Sequence, residues 1–297
     1  MIDGMSFLER SLIVAAHPDD EMLWFNSIIG KVDHAVIVYR NFWAAPELGL
    51  ARAAAIGALP LKKVTCLDID EAGTYGCADW SNPVLTEHGL EFGGAETRRE
   101  IKRVTKRSIG RILPVTAATA PERVSAQYAE NFQRICDVLE PMLSPDMNVF
   151  THNPWGEYGH EDHIQVFRAL DRLRDKIGFR LWMSNYCTER ALPLAMRYFV
   201  KAPGPYIRLP TDKILADRIA DVYRAHGCWT WADDWSWFDE ECFMEAPRGE
   251  SGGKQRHLFP LNFFSIEDHR QPSPSHMATV ATLLMSGMVG AAIAEAM

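Results

Sequence analysis

The chain has 297 residues, 47% apolar and 24% charged, a globular composition that excludes a disordered or fibrous protein and can fill one large or two ordinary domains. Its 31 basic residues face 39 acidic ones for a net charge of -8, leaving no basic excess to neutralise a phosphate backbone, so nucleic acid is excluded as a partner. Six scattered cysteines never form the close pairs of zinc or redox motifs, and no basic-then-apolar leader opens the chain; reduced thiols and a cytoplasmic location are expected.

Residues 11–16 (SLIVAA), 34–40 (HAVIVYR) and 63–69 (KVTCLDI) are short apolar runs that read as buried parallel strands. Helix-length segments, 21–31 and 48–59, lie between them. The β-α-β-α-β alternation predicts an α/β fold, a doubly wound, mostly parallel Rossmann-like sheet with helices on both faces. Residues 71–120, with a basic helical stretch at 97–109, interrupt the alternation and read as an insertion. An amphipathic helix is expected over 121–143, a strand over 147–152, a loop over 153–159 and a helix starting near His160. Residues 179–186 read as another strand and 196–210 as an antiparallel pair. Thr211 is the expected N-cap of a helix reaching about His226. The division expected is a catalytic domain over 1–200 and a C-terminal lobe over 201–297, aromatic-rich at 228–243. The apolar stretch 279–294 is shorter than the roughly 20 residues of a membrane span and reads as a docked helix.

Two loops that follow strands carry the chemistry. His17, Pro18, Asp19, Asp20 and Glu21 crowd carboxylates into an apolar neighbourhood, which is costly unless a cation or hydrogen bonds compensate them. His17 and Asp20 could meet one ion while Asp19 reaches a water. In the second cluster, Tyr158 to His163, the histidines His160 and His163 stand at i and i+3 and share a helix face. This is not the HExxH spacing of zinc proteases.

Ala16-His17-Pro18-Asp19-Asp20-Glu21 followed far downstream by Tyr158-Gly159-His160-Glu161-Asp162-His163 resembles the paired motifs of the PIG-L/LmbE-like de-N-acetylase family, over roughly residues 10 to 190. That resemblance implies a zinc-dependent N-deacetylase, an amidohydrolase acting on linear amides. It implies His17, Asp20 and His163 as metal ligands and Asp19 as general base. It further implies that His160 stabilises or protonates the tetrahedral intermediate, that Asp162 orients His160, and that Tyr158 helps hold the oxyanion. The implied partner is a small N-acylated sugar or glycoconjugate. Zn2+ is the cofactor expected, although Fe2+ accepts the same two-histidine, one-carboxylate set.

The chain departs from the family at Glu161, where Pro is common and where an added charge could shift His160. It departs again at Met22 to Asn26, bulky where small residues are usual. Arg52, His152 and Asn153 are candidate substrate contacts. An amidase acting on a larger acyl group or a thiol conjugate, and a non-catalytic metal- or sugar-binding relative, stay open, as does a homo-oligomer. A nucleotide-binding Rossmann enzyme does not fit, since the first strand-helix turn lacks Gly-x-Gly-x-x-Gly and puts carboxylates where a pyrophosphate would sit.

Overall fold

The computed structural model describes residues 6–42, 45, 47–92, 121–199, 206–246 and 260–266. Its centre is a seven-stranded sheet in which β1 (Ser11–Ala15), β2 (His34–Asn41), β3 (Val64–Asp70), β4 (Asn148–Thr151) and β5 (Arg180–Met183) run parallel. The order is β3-β2-β1-β4-β5, continued by β8 (Glu240–Glu245) and β7 (Tyr206–Pro210), which pair antiparallel. Strand order reverses between β1 and β4. In open α/β sheets that switch point opens a crevice beyond the carboxyl ends of the strands, and both motif-bearing loops leave from there.

Alternation along each strand decides which layer a side chain joins. Leu12, Val14, Val36, Val38, Val149 and Leu181 pack with α4 (Pro121–Leu139) and α5 (Glu161–Ile177) through Phe132, Ile135, Ile164 and Phe167. Phe150 points the other way, edge-on to Phe243 at 5.4 Å, and Phe243 in turn stacks on Phe25 between α1 (Asp20–Leu23) and α2 (Asn26–Ile29). Helices therefore cover both faces, as expected. α3 (Leu48–Ala58) matches the predicted helix closely.

Elsewhere the structure departs from the expectations. The helix predicted over 21–31 is two short helices broken at Phe25, whose φ of -136° and ψ of 25° leave the helical region. The antiparallel pair read over 196–210 is not one: α6 (Leu192–Phe199) is a helix that buries Leu194 and Ala195, and β7 pairs with the distant β8. The sheet thus runs across residue 200, where a boundary was expected, and one compact unit takes in residues up to Thr230 together with Trp237–Phe264. Of the second unit, residues 231–236 and 265–266 are described, and there Trp231 meets Trp235 edge-on at 5.5 Å. Asp212, not Thr211, caps α7 (Lys213–Ala225) by accepting from Leu215 N, while the Thr211 hydroxyl donates to Phe238 O. The strand expected over 179–186 divides into β5 and β6 (Tyr186–Cys187), and β6 pairs with β9 (Asn262–Phe263) in a separate two-stranded sheet. The stretches 97–109 and 279–294 lie outside the described residues. All six cysteines are free, and no helix among the described residues is long and apolar enough to cross a membrane.

Glu241 on β8 is fully buried and turned inward. Its carboxylate accepts from Asn26 N, Ser27 N, Ser27 Oγ and Tyr186 OH at 2.6–3.0 Å, satisfying the first amides of α2, which have no intrahelical acceptor. Glu241→Ala removes their shared acceptor, at about 1–3 kcal/mol for each donor that neither water nor another group then satisfies. The expected loss is on the order of 3 kcal/mol, a fall in melting temperature of about 8 °C; wild-type melting would show that these bonds contribute nothing.

Candidate active site

β1 ends at Ala15, and the next amide, Ala16 N, donates to His152 Nε2 at 2.8 Å, stapling the loop after β1 to the loop after β4. The first loop then tightens. Asp20 N donates to His17 O (3.1 Å), and Asp20 Oδ2 accepts from His17 N (2.7 Å) while Oδ1 accepts from Trp24 Nε1 (2.7 Å). Asp19 is left at φ 103°, ψ -27°, a left-handed conformation that costs a non-glycine residue on the order of 1–3 kcal/mol. Its amide donates to Glu21 Oε2, and Glu21 Oε1 accepts from Tyr223 OH, so Glu21 buttresses the turn.

The second loop is built around Asn153, whose Oδ1 accepts from the amides of Trp155 and Glu157. Gly156 follows at φ 68°, where a Cβ would come within 2.5 Å of His160 O. His160 is the N-cap of α5, its Nδ1 accepting from Asp162 N at 3.2 Å. One helical turn then places His163 beside the first loop.

His17, Asp20 and His163 converge: one ligand atom from each lies within 4.8 Å of the others, and all three residues are buried. Asp20 Oδ2 sits 3.0 Å from His17 Nδ1 and 3.1 Å from His163 Nε2. Two imidazoles and one carboxylate are the donors a borderline divalent cation takes. His163 Nε2 is buried and, despite its nearness to Asp20, makes no directional hydrogen bond. An orphaned, inward-facing nitrogen among these donors fits a metal. Asp19, Asp20, Glu71, Glu157 and Asp162 also crowd one buried region with Arg52 as the facing guanidinium, which a further cation would compensate.

The electrostatics follow from this crowding. Burial alone would lower the His17 imidazolium, but bonds to Asp162 and Asp20 and the charge of Glu71 raise it to about 10. Burial works against ionised Asp20 as well, yet His163 and His17 hold it well below the usual carboxylate range. Asp19 is pushed up to about 7, by burial first and then by Asp20, with Arg52, Thr230 and His17 pulling the other way.

Several supports were not visible in the motifs. Glu157 Oε2 lies 2.8 Å from His163 Nδ1 and 3.0 Å from His152 Nδ1. Since His152 Nε2 accepts from Ala16 N, its proton sits on Nδ1 and goes to Glu157. The same carboxylate fixes the His163 tautomer and leaves Nε2 to ligate. Glu157→Gln is expected to weaken metal affinity about 10- to 100-fold without removing a ligand; titration with zinc should show it, and unchanged affinity would refute this supporting role. Glu71, at the end of β3, lies 3.9 Å from His17 Nε2 and pairs with Arg52 at 3.2 Å. Its place at a strand's carboxyl end was the available signal.

Other expected residues take different places. The Asp162 carboxylate faces His17 Nε2 (3.3 Å) and accepts from Thr74 Oγ1 (2.8 Å), whereas it is the Asp162 amide that orients His160. The Glu161 carboxylate turns from the histidines to the amides of Gly76 and Ala78 and the Trp80 indole, clamping the segment after β3 onto α5. Tyr158 sets its ring edge-on to His163 at 5.1 Å and His160 at 5.6 Å. The candidate substrate contacts are engaged inside the protein. His152 is held as above, Asn153 Nδ2 donates to Ser184 Oγ and Tyr186 O, and Arg52 Nη1 bonds Glu71 and Arg40 O. Bulky Met22 to Asn26 are core, with Trp24 packed against Tyr186 and Tyr158. Exposure shows which side opens: His17 and His160 are 7% exposed and Asp19 5%, against 0% for His152, Glu157 and His163.

Among known protein families and curated proteins the chain matches none. Among solved structures it is similar to a deacetylase of teicoplanin biosynthesis in complex with teicoplanin, at 12% identity and a TM-score of 0.42 over 81% of this chain and 99% of that one. It is also similar to the conserved protein TT1542 of Thermus thermophilus, at 15% identity and a TM-score of 0.37 over 80% of this chain and 94% of that one. A third likeness is to the A40926 pseudoaglycone deacetylase Dbv21, at 14% identity and a TM-score of 0.37 over 82% of this chain and 100% of that one.

Proposed function

We propose that the chain is a metal-dependent amidohydrolase that cleaves an N-acyl amide, acetyl in the simplest case, on an amino-sugar-like small molecule. The observation that carries this reading is the convergence of His17, Asp20 and His163 from two distant loops, with the Asp19 carboxylate on the open side of the same turn. Those three residues would hold zinc, or ferrous iron, which accepts the same donors. When bound, such an ion supplies Lewis-acid polarisation of the acyl carbonyl and brings a water's pKa down to about 7.

Asp19 is placed to take a proton from the attacking water, and a cation beside it favours its ionised form. Hydroxide then adds to the acyl carbon, the C–N bond breaks, and the departing nitrogen must gain a proton. The proton taken up by Asp19 would supply it, while His160, whose Nδ1 accepts from the Asp162 amide, is left with its proton on Nε2 and would donate a hydrogen bond to the tetrahedral intermediate. Tyr158, beside both histidines, would donate to the developing oxyanion, a contribution typically of about 2.7–4 kcal/mol per donor. The products are a free amine and a carboxylate.

The test is amine release from N-acetylated and longer N-acylated amino sugars by the zinc-reconstituted chain. Release that stops on chelation and returns with zinc is expected. A chain that binds zinc yet frees amine from none of them would be a binding protein, and the hydrolase reading would fall.

A further inference from the structure

Asp19 is tied to a part of the chain outside both motifs in two ways: its carboxylate accepts from Thr230, and its amide donates to Glu21, which in turn accepts from Tyr223. α7 ends at Ala225, and Gly227, at φ 66°, turns the chain back over the helix end, with Cys228 N donating to Tyr223 O at 3.0 Å. Cys228 is buried, and the Arg224 guanidinium lies 4.9 Å from the Trp229 ring centre, so this short loop is tied down on both sides. It delivers the Thr230 hydroxyl to Asp19 Oδ2 at 3.0 Å. From the last turn of the same helix, Tyr223 OH donates to Glu21 Oε1 while Glu21 Oε2 accepts from Asp19 N. Backbone and carboxylate of Asp19 are thus both held from α7 and the loop that leaves it. The backbone they hold is the strained one, and strain persists only where surroundings over-determine it.

We infer that Thr230 is a positioning residue for the proposed hydrolysis: it occupies Oδ2 of Asp19, aims Oδ1 at the attacking water, and with the Tyr223–Glu21 pair keeps Asp19 in its left-handed conformation. The inference rests on the reading of Asp19 as the base. Thr230 itself is exposed at the mouth of the site, although the carboxylate it bonds is buried.

The experiment uses the zinc-loaded full chain and an N-acetylated amino sugar that the wild type cleaves. Thr230→Val keeps the shape and removes the hydroxyl. It is expected to lower kcat about tenfold to thirtyfold, because misplacing a reacting group by about 1 Å can cost 10²-fold, with KM within about twofold and metal content unchanged. Thr230→Ser restores most of the rate. An unchanged kcat, or a rise in KM alone, overturns the positioning role. The bond is also read without turnover, in a cycle of Asp19→Ala and Thr230→Val followed by melting. The double variant should melt about 2 °C above the sum of the single losses, and strict additivity would show that no such bond forms. A wild type that cleaves no amide would instead sink the hydrolase reading, which separates the two failures.

Discussion

Asp19→Asn is expected to lose about 10²- to 10⁴-fold in kcat while keeping its metal, the range general acid–base catalysis contributes. Asn is the informative replacement because it tolerates positive φ better than most residues, so it can keep the turn at φ 103°. Its amide oxygen can still accept from Thr230. What it loses is the capacity to take a proton. Burial and the neighbouring Asp20 push the carboxyl of the wild type up to about 7, and a bound cation would draw it back down, so at neutral pH the loaded site presents a carboxylate. Steady-state amine release, with metal measured on the same samples, checks this. A rate within tenfold of the wild type would remove Asp19 from the role of base.

Asp20→Ala and His163→Ala should each lose the metal. Binding of roughly 10–16 kcal/mol shared among about four ligands makes each worth a fall in affinity on the order of a hundredfold to a thousandfold. Asp20→Ala does more than delete a donor. It removes the acceptor of His17 N and of Trp24 Nε1, so this variant should also melt below His163→Ala. Competition with a chromophoric chelator measures the affinities. Wild-type affinity in either variant would move the metal to other donors, of which His17, His160 and Asp162 form a candidate set that both variants leave intact.

The parallel part of the sheet is legible in the sequence because β1, β2 and β4 are buried along most of their length, and continuous apolar runs have no other ready explanation. The edge is not. β8 carries Glu241 turned inward, and an acidic run with aromatics reads as a C-terminal lobe packed on the core, not as a strand of the sheet, until Asn26, Ser27 and Tyr186 are seen to satisfy that carboxylate. The second half of α6 reads as strand because 196–199 is a short, largely apolar segment, a length at which helix and strand patterns overlap.

At the site, the proposed metal donors are legible because His and Asp at fixed short spacings after two strands are chemically unusual. Glu157, Glu71 and Thr230 are not. Glu71 and Thr230 act across the fold, on His17 and Asp19, and Glu157 acts on His163 from within the same loop; a lone Glu or Thr carries no pattern of its own. The bonding of Arg52, His152 and Asn153, read from the sequence as candidate substrate contacts, turns inward, since sequence cannot show whether a polar group faces a cleft or a backbone carbonyl.

The most direct measurement is metal content per chain by elemental analysis, on wild type purified without added metal and again after zinc reconstitution, alongside Asp20→Ala. About one zinc or iron per wild-type chain is expected, as a catalytic site with about three protein ligands would hold, and none in the variant. A wild-type chain that retains no metal even after reconstitution would contradict the account at its centre, because the convergence of His17, Asp20 and His163 would then be an ion-pair network and not a ligand set.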